Sequence, residues 1–459
     1  MLDRQWRTVL GWGSLLVALA GCADLPTVAG PAPEPVTPAL LDAVRASARP
    51  LTGAAADYDP LLALAGGARF VLLGESTHGT HEFYAERARI SRRLFDEGAF
   101  TALAIEGDFH SADRVHRYVL GESADARAEQ ALSGFDRFPL WMWRNAEFRD
   151  FVEHIRERNA SAAPERRVGV YGLDLQAPFA SLQPVLAYLD RVDPAAAGRA
   201  RSRYRCFDAY ADEVVYARAG FTSLAESCAD EAAAVRDELE ARYAAASAAS
   251  PAALDSLFSA AQHARVVASG EAYYRAQGGT AYTTWNIRDR HMAETLDRIA
   301  AHLARLGRPA KVVVWAHNTH VGDDRATEMG SQGEVNLGRL VREAHPGQSV
   351  LVGFTTYAGT VTAAHGWGGS GEPRTLNPEL PGSFGDVFHQ ALGGSSLVLL
   401  RGTPAADPLS AERLERAVGV VYAPASERAS HYFRASLARQ FDAVIHAEAS
   451  RAVSPLGDG

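Results

Sequence analysis

The sequence has no dense run of lysine and arginine, and acidic residues outnumber basic ones. Among 459 residues there are 46 Lys and Arg against 55 Asp and Glu, which gives a formal net charge of −9. A surface that binds nucleic acid needs clustered positive charge. The composition therefore argues against a nucleic-acid partner, and the acidity itself bears only on solubility.

Several catalytic signatures are also missing. No Gly-x-Ser-x-Gly motif stands between a predicted strand and helix, so serine catalysis of the hydrolase type finds no support. A P-loop, a His-Glu-x-x-His motif and a cysteine cluster are absent as well. The chemistry must therefore come from other residues.

Long apolar runs are confined to the N-terminus. Arg4 and Arg7 precede an apolar stretch over residues 9–20, and residues 19–22 read Leu-Ala-Gly-Cys. A positive start, a short apolar middle and a small-residue cleavage site are typical of an export signal. Residues 1–22 are therefore predicted to be a lipoprotein signal peptide, cleaved before Cys22 and acylated there. We expect an exported protein that a lipid holds on the periplasmic side of a bacterial membrane, and Ala23 favours the outer membrane.

The remaining cysteines are few. A Pro-rich tether over residues 23–38 is predicted to join the anchor to the folded body. Cys206 and Cys228 then remain in an exported chain, where disulfides persist, and either a bond between them or two reduced thiols would fit. Neither cysteine has a histidine nearby in the sequence, so neither is expected to be a nucleophile.

Six short apolar runs, separated by helical lengths of sequence, predict a sheet whose strands pair mainly in parallel. They cover residues 70–73, 101–105, 168–173, 311–316, 350–354 and 397–400. The expected fold class is α/β, a mainly parallel sheet core with flanking helices and an α-helical insertion. Residues 39–180 and 310–459 are predicted to form the core. Residues 181–309, rich in Ala, Arg and Glu, are predicted to form the insertion.

Ionisable residues stand where the predicted strands end. Because the carboxyl ends of parallel strands share one edge of a sheet, Glu75, Glu106, Asp174 and His317 are expected to line a single rim. His78 follows Glu75 by three residues. A carboxylate can orient a histidine that takes a proton from water, so His78 is the predicted base.

Other residues could complete such a site. His317, Asn318 and His320 could donate hydrogen bonds to a developing negative charge. Arg87 could neutralise the crowded carboxylates or bind substrate oxygens. A metal site is the competing interpretation, since oxygen and nitrogen ligands are available from Glu75, His78, Glu106, His317 and His320. The spacing does not choose between a metal-bound water and a histidine-activated one.

Six motifs in order resemble the erythromycin esterase family. They are Gly-Glu-Ser-Thr-His-Gly at 74–79, Ile-Glu-Gly at 105–107, Phe138-Pro139 with Trp143-Arg144, Gly-Leu-Asp at 172–174, Arg288-Asp289 with Met292, and Trp-Ala-His-Asn-Thr-His at 315–320. The resemblance extends from about residue 57 to 455, with further matches at 336–338 and 353–357. It implies an esterase that opens macrolide lactones by water attack without an essential metal. It also implies His78 as base, with Glu75, Arg87, Glu106, His317 and His320 in the site.

The sequence thus predicts a membrane-anchored hydrolase of a small-molecule ester or lactone that needs no cofactor. Substrate contacts are expected from Trp143, Arg144, Asp174 and Arg288. The alternatives are a divalent-metal-dependent hydrolase at the same site, or a lipoprotein that binds haem or another ligand without catalysis.

Overall fold

The structure is a computed structural model that describes residues 35–221, 227–247 and 250–457. The predicted signal peptide with Cys22, and residues 23–34 of the predicted tether, lie outside the described residues. Among the helices of the described part, none is long and apolar enough to cross a membrane.

The described residues form eleven strands. In chain order they are β1 (Ala48–Pro50), β2 (Phe70–Leu73), β3 (Ala102–Asp108), β4 (Gly169–Asp174), β5 (Val312–Trp315), β6 (Ser349–Ala363), β7 (Glu372–Leu376), β8 (Ser396–Leu399), β9 (Arg413–Arg416), β10 (Tyr432–Ala435) and β11 (Ala443–Ser450).

Helices connect most of these strands. The α-helices are α1 (Pro38–Ser47), α2 (Asp59–Ala65), α3 (His81–Asp96), α4 (Phe109–Leu120), α5 (Ala128–Leu132), α6 (Ala146–Ser161), α7 (Pro178–Val192), α8 (Pro194–Tyr204), α9 (Glu213–Phe221), α10 (Ala229–Ala245), α11 (Pro251–Arg275), α12 (Ala281–Arg305), α13 (Asn318–Val321), α14 (Glu328–Ser331), α15 (Leu337–Ala344), α16 (Phe384–Leu392), α17 (Glu427–Ser430) and α18 (Leu437–Gln440). The 3-10 helices are Ala55–Tyr58, Leu140–Met142, Pro164–Arg166, Arg205–Phe207, Asp324–Ala326, Pro408–Ser410 and Pro424–Ser426.

Nine of the described strands form one sheet, in the order β1-β8-β11-β6-β2-β5-β3-β4, with β7 paired to β6. The six strands from β11 to β4 pair in parallel, and β1, β7 and β8 pair antiparallel. The predicted α/β class with a mainly parallel sheet is confirmed. All six predicted strands are present, although the run at 397–400 forms β8, which is antiparallel to β11.

The sheet is buried on both faces, which explains why its strands read as continuous apolar runs. In β2 the residues alternate between two cores: Val71 and Leu73 pack with α3 and α6, and Phe70 and Leu72 pack with α12, α15 and α16. All four side chains are fully buried. The strand ends are therefore held rigidly, and so are the residues that follow them.

The helices between β4 and β5 divide into two groups. Helices α7 to α11 enclose a buried cluster of their own, in which Cys206 and Cys228 form a disulfide with Cα atoms 5.8 Å apart. Helix α12 instead packs on the sheet through Met292, Leu296 and Ile299. The last helix of the segment predicted as an insertion is thus part of the sheet's own core.

Candidate active site

Four neighbouring strands deliver the predicted ionisable residues to one edge of the sheet. The strands are neighbours in the order β2, β5, β3 and β4. Glu75 follows the end of β2, and His317 follows the end of β5. Glu106 lies near the end of β3, and Asp174 is the last residue of β4. All four side chains are buried. Parallel pairing thus brings residues 75, 106, 174 and 317 together, as the rim argument predicts.

Gly74 allows the first two of these segments to approach closely. A Cβ atom on Gly74 would lie 2.1 Å from Oδ1 of Asn318. The Asn318 backbone N–H donates to the carbonyl oxygen of Glu75 at 2.8 Å, and its side-chain amide donates to the carbonyl oxygen of Phe354 at 2.8 Å. The glycine therefore provides space for Asn318, which ties β2, β5 and β6 together where the site begins.

His78 is held by a buried pair of charges. Its Nδ1 lies 2.9 Å from Glu75 Oε1, and Nη2 of Arg87 donates to Glu75 Oε2 at 2.8 Å. A carboxylate can only accept, so Nδ1 carries the hydrogen. Within the described residues the other ring nitrogen, Nε2, has no hydrogen-bond partner, and His78 lines a cavity. The ring is therefore oriented with a free lone pair on the side that faces the cavity.

Arg87 acts only through Glu75. Its side chain is fully buried, and its guanidinium lies over the rings of Tyr84 and Trp315 at 4.5 and 4.8 Å. Two roles were expected for Arg87, and this position fits the first of them, which is to neutralise a carboxylate. Contact with substrate oxygens does not fit, because neither Arg87 nor Glu75 lines the cavity.

His317 lies opposite His78, with ring centroids 4.8 Å apart. Its Nδ1 lies 2.9 Å from Oγ1 of Thr319 and accepts from the backbone N–H of Thr319 at 3.3 Å, which favours the neutral ring with its hydrogen on Nε2. Burial, together with the neighbouring His78, lowers the pKa of His317 to about 3. Nε2 is buried and has no partner among the described residues. His317 is therefore a neutral ring, and the backbone of Ser76 is the polar group that lies near it.

Glu106 connects His317 to a second group of charges. Its Oε2 accepts from the backbone N–H of His317 at 2.8 Å, and its Oε1 accepts from Nη2 of Arg288 at 2.8 Å. Arg288 also pairs with Asp174, where Nη2 lies 2.6 Å from Oδ2. Burial would raise the pKa of Glu106, but His320 and Arg288 outweigh it and hold that pKa well below its usual value. Glu106 is therefore ionised.

His320 is held between two carboxylates. Its Nδ1 lies 2.9 Å from Asp289 Oδ1, and its Nε2 lies 3.2 Å from Glu106 Oε1. Burial and the nearby Arg288 lower its pKa, but Asp289 and Glu106 raise it to about 10. Nη1 of Arg288 also lies 3.0 Å from Nε2 of His320, and only the neutral ring can accept that hydrogen bond. The raised pKa of His320, which favours the protonated ring, contrasts with this contact and with the lowered pKa of His317.

These residues open into a cavity of about 850 Å³. Its floor holds His78, His317, His320, Glu106, Asp174 and Arg288. Its aromatic wall consists of Phe135, Phe138, Trp143, Trp285 and Trp367. Such a volume, apolar with a few convergent polar groups, is typical of a small-molecule site.

Some residues of the aromatic motif at 138–144 line the cavity, and others pack away from it. Trp143 lines the cavity, and its Nε1 donates to the backbone oxygen of Glu106 at 3.0 Å. Phe138 packs edge-on against Trp367 with centroids 5.1 Å apart. Arg144 does not line the cavity; its side chain reaches toward the carbonyl oxygen of Gly457 at 3.5 Å. The expectation that Arg144 contacts substrate does not match this position, because its backbone and side chain both face the C-terminal segment.

The site also contains residues to which the sequence assigned no role, among them Asp289, Glu334 and Trp285. Asp289 stands beside Arg288 in a motif that was recognised, so its i to i+1 position on α12 was an available signal. Glu334 and Trp285 also line the cavity. Trp285 stacks on His320 with centroids 4.3 Å apart. No sequence pattern distinguishes Glu334, which lies in a loop before α15.

The five alternative metal ligands do not form one donor set. Glu75 is already paired with Arg87 and His78, and Glu106 and His320 are paired with Arg288 and Asp289. Across residues 35–221, 227–247 and 250–457, no group of three or more His, Cys, Asp or Glu side chains is arranged to hold a metal ion. The residues present do not fit a metal.

The chain matches one family model and resembles three solved structures. The sequence model of the Erythromycin esterase family matches residues 96–450. A protein from Bacillus cereus is 22% identical, with a TM-score of 0.76 over 91% of this chain and 98% of that one. A succinoglycan biosynthesis protein is 20% identical, with a TM-score of 0.73 over 91% and 98%. A mutant of the erythromycin esterase EreC in its open conformation is 18% identical, with a TM-score of 0.62 over 87% and 95%. At these identities the structures show a shared fold.

Proposed function

Because the chain belongs to the erythromycin esterase family, whose members are hydrolases, we propose that it hydrolyses a carboxylic ester or lactone with water that His78 activates. The observation that carries the proposal is the placement of His78. One ring nitrogen is held by buried Glu75, and the centroid of the ring lies 4.8 Å from that of His317, which also lines the cavity.

The first step is the attack of water on the acyl carbon. His78 Nε2 takes a proton from the water as its oxygen bonds to the carbonyl carbon. Glu75, neutralised on its far side by Arg87, accepts from Nδ1 and stabilises the positive charge that forms on the ring. Negative charge collects on the former carbonyl oxygen, and Nε2–H of His317 can donate to it.

The second step is departure of the alcohol. The bond from the acyl carbon to the ester oxygen breaks, and the proton held by His78 passes to that oxygen. His320 and Arg288 supply positive charge beside Glu106, which fixes the backbone of His317. In this mechanism His317 contacts the reacting oxygen, and Glu106, His320 and Arg288 hold it in place and balance the charge of the floor.

The proposed substrate is a small molecule whose apolar surface packs against the aromatic wall. Trp143, Asp174 and Arg288 all line the cavity and are proposed to contact it. Macrolide lactones are included because one similar structure is an erythromycin esterase. Catalysis is proposed to need no metal, since the candidate ligands already pair with arginine or with one another. Dialysis against a chelator should then leave turnover unchanged.

The proposed location is the periplasmic side of a bacterial membrane, with a lipid on Cys22 as the anchor. Support comes from the Leu-Ala-Gly-Cys sequence and from the Cys206–Cys228 disulfide, which suits an oxidising compartment. A Cys22→Ser variant should lose incorporation of labelled palmitate and leave the membrane fraction.

The activity is tested by a panel of aryl esters, simple lactones and macrolides, with two histidine variants compared. His78→Ala should lower kcat at least about 100-fold, because the base is removed. His81→Ala is the matched control: its Nδ1 also contacts a carboxylate, Glu147 at 2.7 Å, but it does not line the cavity. Full activity in His78→Ala, or equal losses in both variants, would contradict the proposal.

A further inference from the structure

One carboxyl group on the cavity wall has no polar partner. Glu334 is 6% exposed, and its side chain makes no hydrogen bond or ion pair within the described residues. The other cavity acids differ: Glu106 and Asp174 pair with Arg288, and Asp108 accepts from the backbone N–H of Ser111 at 2.8 Å. Glu334 is the exception among them.

The surroundings of the Glu334 carboxyl group disfavour its charged form, and no hydrogen bond or ion pair within the described residues offsets this effect. Burial, with a contribution from Asp289, raises the pKa of Glu334 to about 8. Buried polar groups are normally hydrogen-bonded, and those without a protein partner are completed by water or by a ligand. A group of this kind that faces a cavity is best explained by a ligand that completes its hydrogen bonds.

A second polar group without a partner belongs to a residue that lines the same cavity as Glu334. The Asn286 side chain donates to the carbonyl oxygen of Gly333 at 2.9 Å and accepts from the backbone N–H of Val335 at 2.7 Å. Both neighbours of Glu334 are thereby fixed against α12, next to Trp285. The indole Nε1 of Trp285 is buried, and it donates to no group in the described part of the chain.

We propose that Glu334 and Trp285 form a specificity subsite that binds a hydroxyl group of the substrate, away from the ester being cleaved. A hydroxyl is the group that can both donate to Glu334 and accept from the indole N–H. An ammonium group, which has no acceptor for the indole N–H, would satisfy Glu334 alone. The inference rests on the proposed function, since it assigns a hydroxylated acyl or alcohol portion to that same ester or lactone.

The test compares matched probes. The p-nitrophenyl esters of ω-hydroxyhexanoic, ω-methoxyhexanoic and ω-aminohexanoic acid report on hydrolysis, and the corresponding anilides report on binding by calorimetry without reaction. The wild-type protein should prefer the hydroxy ester over the methoxy ester by about tenfold in kcat/KM, through KM. The amino ester should show no such advantage.

Two variants isolate the subsite. Glu334→Leu should reduce the hydroxy-to-methoxy ratio to about one. Its unfolding midpoint should be equal to or above that of the wild type, because an unpartnered buried carboxyl is removed. Glu334→Gln, whose amide can still donate and accept, should keep part of the preference. Glu328→Leu is the control, since Glu328 is exposed on α14 and does not line the cavity.

The outcomes separate the subsite from the activity. Hydrolysis of all three esters with no hydroxyl preference would overturn the subsite and leave the esterase proposal intact. Anilide binding that favours the hydroxyl and loses that preference in Glu334→Leu, with no ester cleaved, would support the subsite and contradict the esterase. A preference for the amino probe, or a Glu334→Leu variant with a lowered midpoint and an unchanged ratio, would overturn the subsite.

Discussion

Arg87 and Glu75 form a charge pair that is completely removed from water. Both side chains are fully buried, and two nitrogens of Arg87, Nε and Nη1, have no hydrogen-bond partner among the described residues. The Tyr84 and Trp315 rings face that guanidinium and partly replace the missing partners. The pair holds the ring of His78 through Glu75, and a buried ion pair is by itself weak evidence for stability.

Replacing Arg87 by Met should therefore have a large effect. It leaves the Glu75 carboxylate buried without a counter-charge, so we expect a loss of about 3–5 kcal/mol in the free energy of unfolding. Urea denaturation measures this loss. Arg93→Met is the control, because Arg93 pairs with exposed Glu97 and Asp59 and should show a much smaller loss. Equal losses would mean that burial of the pair is irrelevant.

His320 makes a pH-dependent contribution to stability. Its pKa rises from 6.5 to about 10 on folding, so the contribution is fully present below about pH 6.5 and is lost as the pH rises through about 10. One unit of pKa corresponds to about 1.4 kcal/mol, which sets an upper bound of roughly 5 kcal/mol.

The stability difference between wild type and His320→Gln should accordingly shrink between about pH 6 and about pH 10. Denaturation at a series of pH values measures it. His365→Gln, at a histidine whose side chain is 72% exposed, should show a small difference that varies little. A His320→Gln difference that grows with pH would show that the ring is neutral in the folded protein.

The strand-turn-helix element around β2 and α3 carries three of the six predicted catalytic residues, namely Glu75, His78 and Arg87. Gly74, Glu75 and His78 lie in its turn, and Arg87 lies on its helix. The turn and its chemistry were readable from the sequence because an apolar run stops abruptly at charged residues. The pairing of Glu75 with Arg87 could not be predicted from the sequence, because an arginine can pair either with a carboxylate of the protein or with a substrate.

Gly74→Ala should damage this element without removing any catalytic group. The added methyl group would meet Oδ1 of Asn318, and the turn and α13 would have to separate. We expect a loss of about 2–3 kcal/mol in stability and at least about 100-fold in kcat, measured by denaturation and ester hydrolysis. Gly67→Ala, where nothing lies within 4 Å of the new atom, should keep full activity. An active Gly74→Ala variant would mean that the spacing of His78 and His317 tolerates change.

The sequence predicted the residue ranges of the strands better than their order and direction in the sheet. The runs at 70–73 and 311–316 gave β2 and β5 within two residues, since a strand buried on both faces is continuously apolar. β11 was missed because residues 443–450 mix His, Glu and Ser with apolar residues. β8 lies between β1 and β11, and its antiparallel direction depends on tertiary packing that no local pattern records.

At the scale of the whole molecule, the site lies on a rigid sheet, and a separate helical cluster follows β4. The rim of ionisable residues could be predicted because the topology alone places the strand ends together. Glu334 could not, since its importance depends on the absence of a partner, which only the three-dimensional arrangement reveals.

The disulfide belongs to the helical cluster rather than to the site. Cys206 and Cys228 are separated by 22 residues, and closing a loop of that length is worth about 3 kcal/mol in the chain-entropy model. A Cys206→Ala, Cys228→Ala double variant should unfold at a lower denaturant concentration and keep its kcat. Loss of activity in the folded double variant would show that the cluster controls the site.

The central claim is that a water molecule activated by His78 attacks the acyl carbon directly. A single turnover of an ester in H₂¹⁸O, with protein in excess over substrate, tests this claim by mass spectrometry of the released acid. Direct attack by water should place one ¹⁸O in the acid in the first turnover, at a rate that falls at least about 100-fold in His78→Ala. Direct attack would be contradicted if the acid from the first turnover is unlabelled and the protein carries either the ¹⁸O label or the acyl group.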